Sequence, residues 1–314
     1  MAASLKVLGE LEVWCDGARR PLVRRQIRIL LGALALRANS TVTTAWLTEA
    51  LWAGRPPRSA PANLRSYLAA IRRVPAGTGA EDLRLESGQG RHLLLAGPAS
   101  LDLLAFEQLT AQGRRQLTSG RAGTAADRLD RALALWRGPV LEGLRIPEVV
   151  QPEVRTWEDL RVDAIEDWAD ASLAAARHVP VAAQLHGLVQ RYPLRERLWA
   201  QLMLALYRCG RPADALATYR ELFALLDVEL GIRPNRSVHE LHQRILREDP
   251  VLDSADHRPG LPARDIGIHR SDSRLERSVT PPGVAGSSGP DLVTRSGIPL
   301  KWPITVRDAP PDSG

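Results

Sequence analysis

The stretch Ser59–Val74, SAPANLRSYLAAIRRV, decides how the rest of the chain is read. Leu64, Leu68 and Ile71 fall together at helical spacing, with Tyr67 beside them, as on the buried stripe of an amphipathic helix. Opposite lie Ala62, Ser66, Ala69 and Arg73, edged by Arg65 and Arg72 on one side and Asn63 on the other. Small residues between arginines let a helix approach a groove closely, and guanidiniums suit phosphates and the O6/N7 edge of guanine. Ser59 is placed as the N-cap and Pro61 in the first turn, where no backbone donor is missed. A solvated basic helix would show the same face, so the neighbouring segments have to decide.

Upstream, Arg24–Arg37 sets Ile27, Leu30, Leu31 and Leu34 at i, i+3, i+4, i+7, a second amphipathic helix that Asn39 ends. Arg24, Arg25 and Arg28 stand at its N-terminal end, against the preference of the helix dipole, which points to an external anion as their partner. Thr43 or Thr44 caps a short helix carrying Leu47, Leu51 and Trp52, and Pro56-Pro57 in AGRPPRS (residues 53–59) breaks it. Residues 5–14, LKVLGELEVW, alternate as a strand does, and Asp16-Gly17 is a hairpin signal followed by Pro21. Downstream, past Gly77 and Gly79, the period becomes two: Leu83 and Leu85, the turn Gly88-Gln89-Gly90, then Leu93 and Leu95. Arg91 and His92 lie near the tip of this second hairpin. Strands, three helices and a terminal hairpin make a winged helix, with the basic helix in the major groove and the wing along the backbone.

Charge agrees with that placement. Residues 1–96 hold 14 Lys+Arg against 7 Asp+Glu, whereas residues 97–250 hold 20 against 21, so the positive excess belongs to the first segment. A concentrated basic region is the electrostatic footprint of a phosphate-backbone binder. Cys15 and Cys209 are the only cysteines and form no C-x-x-C, so neither a disulfide framework nor a zinc site is indicated. No apolar run reaches the length of a membrane span, and MAASLKVLGELEV lacks a signal peptide's pattern; a cytoplasmic protein without membrane contact is expected.

From Ser100 to about Asp249 the pattern is helical and repetitive. Trp199, Leu202 and Leu206 match the first helix of a tetratricopeptide repeat, Gly210 ends it, and Ala215-x3-Tyr219 matches the second, with Met203 where the repeat uses glycine. Val181-x3-Leu185 stands one repeat length, 34 residues, earlier, with Pro193 at its end. A weaker copy has Gly113, Gly120 and Ala125-x3-Leu129, separated by the additional segment RGPVLEGLRIPEVVQPEVRTWE with Pro139, Pro147 and Pro152. Three helical pairs can bury a continuous core. Beyond Pro250 the composition turns to Pro, Gly, Ser, Asp and Arg, too poor in apolar residues to offset chain entropy. The expected architecture is mainly α with a small β component: a winged helix-turn-helix domain (1–97), an all-α tetratricopeptide-like domain (98–250) and a disordered tail (251–314).

These motifs together carry a family resemblance. ALW (Ala50-Leu51-Trp52) before RPP (Arg55-Pro56-Pro57), then ALALWRGP (Ala132–Pro139), PLRERLW (Pro193–Trp199), LMLALYRCGRPADALATYR (Leu202–Arg220) and ELGIRP (Glu229–Pro234) resemble the Streptomyces antibiotic regulatory protein family over about residues 5–250. The resemblance implies an OmpR-type winged helix joined to a bacterial transcriptional activation domain. It implies an activator of antibiotic or other secondary-metabolite gene clusters that binds direct repeats in promoter DNA and contacts RNA polymerase and its sigma factor. Carried onto this chain, it makes Ser59–Val74 the recognition helix and Ser87–Leu94 the wing. It also makes the turn 53–58, with Arg55, Pro56, Pro57 and Arg58, the candidate polymerase contact. The candidate DNA contacts are Arg24, Arg25, Arg28, Asn63, Arg65, Ser66, Ala69, Arg72, Arg73, Arg91 and His92. Family wings usually read G-x-G-Y; here Arg91-His92 follows Gly90, so a looser and more basic wing is expected.

Other classes find less support. No cofactor is expected, because a phosphate loop needs G-x4-G-K-[ST] and neither Lys6 nor Lys301 stands in that context. His239 and His242 flank Glu240 at helical spacing with no third ligand nearby, and His178 and His186 flank an apolar helix, so none suggests an enzyme. Trp46, Trp52, Trp136, Trp157, Trp168 and Trp199 fall at core positions. The alternative function is an interaction scaffold whose repeats bind a protein while the basic domain docks weakly on DNA. Repeated sites on DNA imply self-association, as a dimer or side by side.

Overall fold

The computed structural model describes residues 3–73 and 83–253. Val74, Gly77 and Gly79, and the tail from 254 onward with Ile298, Lys301, Trp302 and Ile304, lie outside the described residues. The chain opens with an antiparallel sheet of β1 (Ala3–Lys6), β2 (Glu12–Cys15) and β3 (Ala18–Arg20) in that order. The β2–β3 connection is Asp16-Gly17, both at positive φ, the mirror-image turn whose twist matches paired strands. The alternating run 5–14 is not one strand. Val7 and Leu8 donate their N–H groups to the Asp102 carboxylate at 2.9 and 3.0 Å. The carbonyls of Val7, Leu8 and Gly9 accept from the N–H groups of Leu141, Arg137 and Glu142. Backbone groups committed to distant partners cannot continue a ladder, and alternation within the segment carries no sign of this.

Three helices follow: α1 (Arg25–Leu36), α2 (Thr44–Trp52) and α3 (Ala60–Arg72). Ile27, Leu30, Leu31 and Leu34 are buried as their spacing requires. Thr43 caps α2 by accepting from the Trp46 N–H at 3.1 Å. A second antiparallel sheet, ordered β4-β6-β5, joins β4 (Val42–Thr43) to the hairpin β5 (Arg84–Gly88) and β6 (Arg91–Leu95).

The remainder is helical: α4 (Asp102–Thr118), α5 (Ala122–Leu133), α6 (Gln151–Ala174), α7 (His178–Arg191), α8 (Glu196–Arg208), α9 (Pro212–Leu230) and α10 (Arg236–Leu246). α4 packs on α5, α6 on α7 and α8 on α9; α5 meets α6, α7 meets α8, and α10 closes against α8 and α9. Gly113 in α4 permits the first of these approaches, since a Cβ there would stand 2.6 Å from Leu129 Cγ. Trp136, Trp168 and Trp199 are buried, whereas Trp46, Trp52 and Trp157 pack at the margin of the core. Pro250–Asp253 forms a 3-10 turn with Leu252 buried and its carbonyl accepting from Arg208 Nε at 2.7 Å. Residues 251–253, placed in the tail by the expected boundary, are thus held against α8 through one buried leucine and its carbonyl.

A single apolar core runs from the winged helix into the helical repeats. The additional segment between α5 and α6 makes the first seam, through the backbone pairing with residues 7–9 just described and through Leu141, which packs on Gly32 of α1. Arg137 adds ion pairs to Glu12 and Asp102. At the second seam Arg37 pairs with Glu153 at 2.6 Å and stacks on Trp46, while Trp157 Nε1 donates to the Leu36 carbonyl. The α6 helix also carries a buried ionic cluster. Asp163, Glu166, Asp167 and Asp170 face Arg195, just before α8, Arg197 of α8 and Arg114 of α4. Gln201 Nε2 donates to the Glu166 carbonyl and to Asp170. Burial pushes the Glu166 carboxyl up to about 7, against the opposing pull of Arg197 and Arg195.

Candidate nucleic-acid interface

α3 is held from behind by Leu64, Leu68 and Ile71, all buried, with Tyr67 packed at the margin. Its outer face presents Ala62, Arg65, Ser66, Arg72 and Arg73 exposed, with Asn63 and Ala69 half-buried. Pro61 occupies the first turn, as expected. Ser59 does not cap it: its backbone has a ψ of 1°, and its Oγ instead accepts from Asn63 Nδ2 at 3.1 Å. That bond turns Asn63 back along the helix. Arg65 Nε reaches the Pro61 carbonyl at 3.3 Å, while Arg72 and Arg73 are in no ion pair among the described residues.

Beside this face lies a cleft of 370 Å³, formed where the β3–α1 connection approaches α3. Pro21, Leu22, Val23, Arg24 and Ile27 line one wall; Ser66, Ala69, Ala70 and Arg73 line the other. Val23 is 91 % exposed, an apolar residue next to the candidate DNA contact Arg24. Arg24 and Arg25 are exposed at the start of α1. Arg28 differs from them. It is half-buried and meets Glu10 at 3.5 Å, a carboxylate that also pairs with Arg19, so its anion is internal rather than external.

The wing requires a second correction. β5 and β6 pair Ser87 with His92 and Gly88 with Arg91, around a turn at Gln89-Gly90 in which both residues have positive φ. This register turns His92 and Leu94 inward, not Leu93 and Leu95. His92 is 8 % exposed, with Nδ1 2.8 Å from Ser87 Oγ and Nε2 3.0 Å from Thr44 Oγ1. Burial, and then the Arg72 guanidinium, hold its pKa below the ordinary histidine value. His92 is therefore unavailable to DNA in this arrangement, and the wing expected to be loose has a ring packing it. Arg91, at the tip, is exposed.

Arg55, Pro56, Pro57 and Arg58 are all exposed between α2 and α3. His239 and His242 both contact Tyr219, the first by a 2.9 Å hydrogen bond between its Nδ1 and the phenol oxygen and the second by stacking at 3.8 Å, which accounts for them as packing residues. Among the described residues no group of three or more His, Cys, Asp or Glu is arranged to hold a metal ion, and no helix is long and apolar enough to cross a membrane.

Known proteins share this arrangement. Residues 101–246 match the bacterial transcriptional activator domain family. The regulatory protein DnrI of Streptomyces peucetius is 34 % identical over 256 residues, covering 79 % of this chain and 94 % of DnrI. The regulatory protein AfsR of Streptomyces coelicolor is 39 % identical over 247 residues, covering 78 % of this chain but 24 % of AfsR. The solved structure of Mycobacterium tuberculosis EmbR, in complex with a low affinity phosphopeptide, superposes with a TM-score of 0.74 at 32 % identity, covering 79 % of this chain and 66 % of that one. On this winged helix, these activator-domain helices and this near full-length likeness to DnrI, the chain belongs to the Streptomyces antibiotic regulatory protein family of transcriptional regulators.

Proposed function

We propose that this transcriptional activator binds promoter DNA sequence-specifically through α3 and the β5–β6 wing, at direct repeats upstream of a secondary-metabolite gene cluster, and recruits RNA polymerase. One observation carries the reading: α3 turns its small residues outward. Ala62 and Ser66 are exposed between Arg65, Arg72 and Arg73, while the leucines that anchor the helix are buried. A surface of that profile fits a major groove, with Arg73, just past the C-terminal end of α3 and exposed on the same face, assigned to base edges and Arg65 and Arg72 to phosphates. Arg24 and Arg25 across the cleft, and Arg91 on the wing, extend the cationic surface along the backbone. The exposed Arg55–Arg58 turn is the polymerase-facing element in this reading, and copies set side by side on the repeats explain self-association without new base contacts. Selection of bound duplexes from a random pool, followed by footprinting on the DNA flanking its own gene, tests this. A repeated motif protected in register supports it; equal binding to all duplexes at moderate salt overturns it in favour of a scaffold.

A further inference from the structure

The structure assigns His92 a role that the sequence did not suggest: it is the positioning residue that latches the wing to the start of α2. The assignment rests on the DNA-binding reading for its consequence, but not for its geometry. Thr44 is the pivot. Its N–H and its hydroxyl both lie within hydrogen-bond distance of the Gly90 carbonyl, at 2.8 and 3.0 Å. A carbonyl oxygen only accepts, so the Thr44 hydroxyl spends its proton there and has only acceptor capacity left for the imidazole. Nε2 of His92, 3.0 Å away, must then carry the ring proton. The neutral ring has Nδ1 bare, and that atom accepts from the Ser87 hydroxyl at 2.8 Å. One directional chain results: Ser87 Oγ–H to Nδ1, Nε2–H to Thr44 Oγ1, Thr44 Oγ1–H to the carbonyl of the wing turn.

The chain connects β5, β6 and the first residue of α2, next to the Thr43 side chain that caps that helix. Val42 of β4 pairs with His92 across the sheet, so the same residue is fixed by backbone and side chain alike. Among the described residues the charged group acting on the ring is Arg72 of α3, on the outer side of the recognition helix; Ser87 and Thr44 are the polar groups from β5 and α2. A second cation between α3 and the wing would be repelled, which agrees with a ring held neutral. A helix in one groove and a wing on the neighbouring backbone bind the same duplex only at a set separation. Fixing that separation beforehand spares ordering cost on binding.

Ring-nitrogen spectra of the free protein, wing amide exchange and duplex affinity by fluorescence anisotropy test the assignment together. The expected spectrum is that of a neutral imidazole protonated at Nε2, persisting as the pH is lowered past the ordinary histidine value of about 6.5. His92→Phe keeps an aromatic ring but no hydrogen bonds, and Thr44→Val keeps the branched shape without the hydroxyl. Each is expected to speed exchange at Gly90 and Arg91 and to weaken duplex binding about 3- to 10-fold, with the double variant no worse than the weaker single, as for one shared interaction. The ratio of specific to scrambled binding stays unchanged. An Nδ1-protonated ring, wild-type exchange in His92→Phe, or strictly additive losses would each overturn the latch. Should the protein show no duplex preference at all, the DNA reading fails, and the spectra and exchange still decide the latch by themselves.

Discussion

Arg197→Met is the perturbation whose outcome the structure fixes most tightly. Arg197 contacts Glu166 and Asp167 at 3.2 Å each and also Asp170, three carboxylates of α6 that are 6–8 % exposed as whole residues. Methionine keeps part of the aliphatic length but none of the charge. Arg114 still faces Asp167, and Arg195 still faces Asp163, but Glu166 and Asp170 lose their ion-pair partner. Leaving buried charge unpaired costs about 3–5 kcal/mol, a large part of the roughly 5–15 kcal/mol by which a domain is stable. At about 2–4 °C per kcal/mol for a domain of this size, the melting temperature should drop by roughly 6–20 °C. The deficit should also depend on pH. Without Arg197 the Glu166 carboxyl, already raised by burial, rises further above its unfolded value, so the native state binds more protons and stability returns as pH falls through that raised value. Calorimetric melting of both proteins from about pH 5.5 to about pH 8 checks this. A variant that melts within about 2 °C of the parent at the alkaline end, or whose deficit grows on acidification, would refute the reasoning.

Three further outcomes follow from other parts of the molecule. Glu166→Gln removes a group whose folded value of about 7 exceeds its unfolded value. Wild-type stability should therefore fall as pH rises through about 7, by on the order of 3 kcal/mol in total, and the variant's chemical-denaturation curves should lack that slope. Gly113→Ala places a Cβ 2.6 Å from Leu129 Cγ, and the crowding should outweigh a helix-propensity gain of about 1 kcal/mol for a net loss of roughly 1–2 kcal/mol in urea unfolding. Asp102→Ala strips the acceptor from the Val7 and Leu8 N–H groups and one partner from Arg137. We expect a loss of about 2–4 kcal/mol and a broadened or divided calorimetric transition as the winged helix loosens from the repeats.

What the sequence disclosed and what it concealed divide along physical lines. α1 was legible because Ile27, Leu30, Leu31 and Leu34 bury one stripe, and the period alone specifies that. The helical pairs were legible because their second-helix pattern recurs at 34 residues from Val181 to Ala215. The β6 register was not, because Leu93-Leu94-Leu95 offers no alternation and only the Gln89-Gly90 turn geometry settles which leucine faces in. Arg28 read as free because its partner Glu10 lies in a segment whose strand is interrupted by contacts more than 90 residues away. The acidic stripe of α6 has the composition of a solvated face; its arginine partners at the start of α8 lie about 30 residues on, and no local pattern announces them. Val23 gave no signal either, since a lone exposed valine in a loop means nothing until the cleft it borders is seen.

The central claim is that α3 reads bases with its outward face, and Arg73 is the side chain through which to ask. The decisive measurement is the ratio of affinities for a selected duplex and a scrambled duplex, determined by fluorescence anisotropy at one fixed salt concentration for the wild type and Arg73→Ala. A lost base contact should cost about 1–3 kcal/mol on the selected duplex alone, reducing the ratio roughly 5- to 150-fold while scrambled binding changes little. An unchanged ratio, with both affinities intact or both lowered alike, would contradict it.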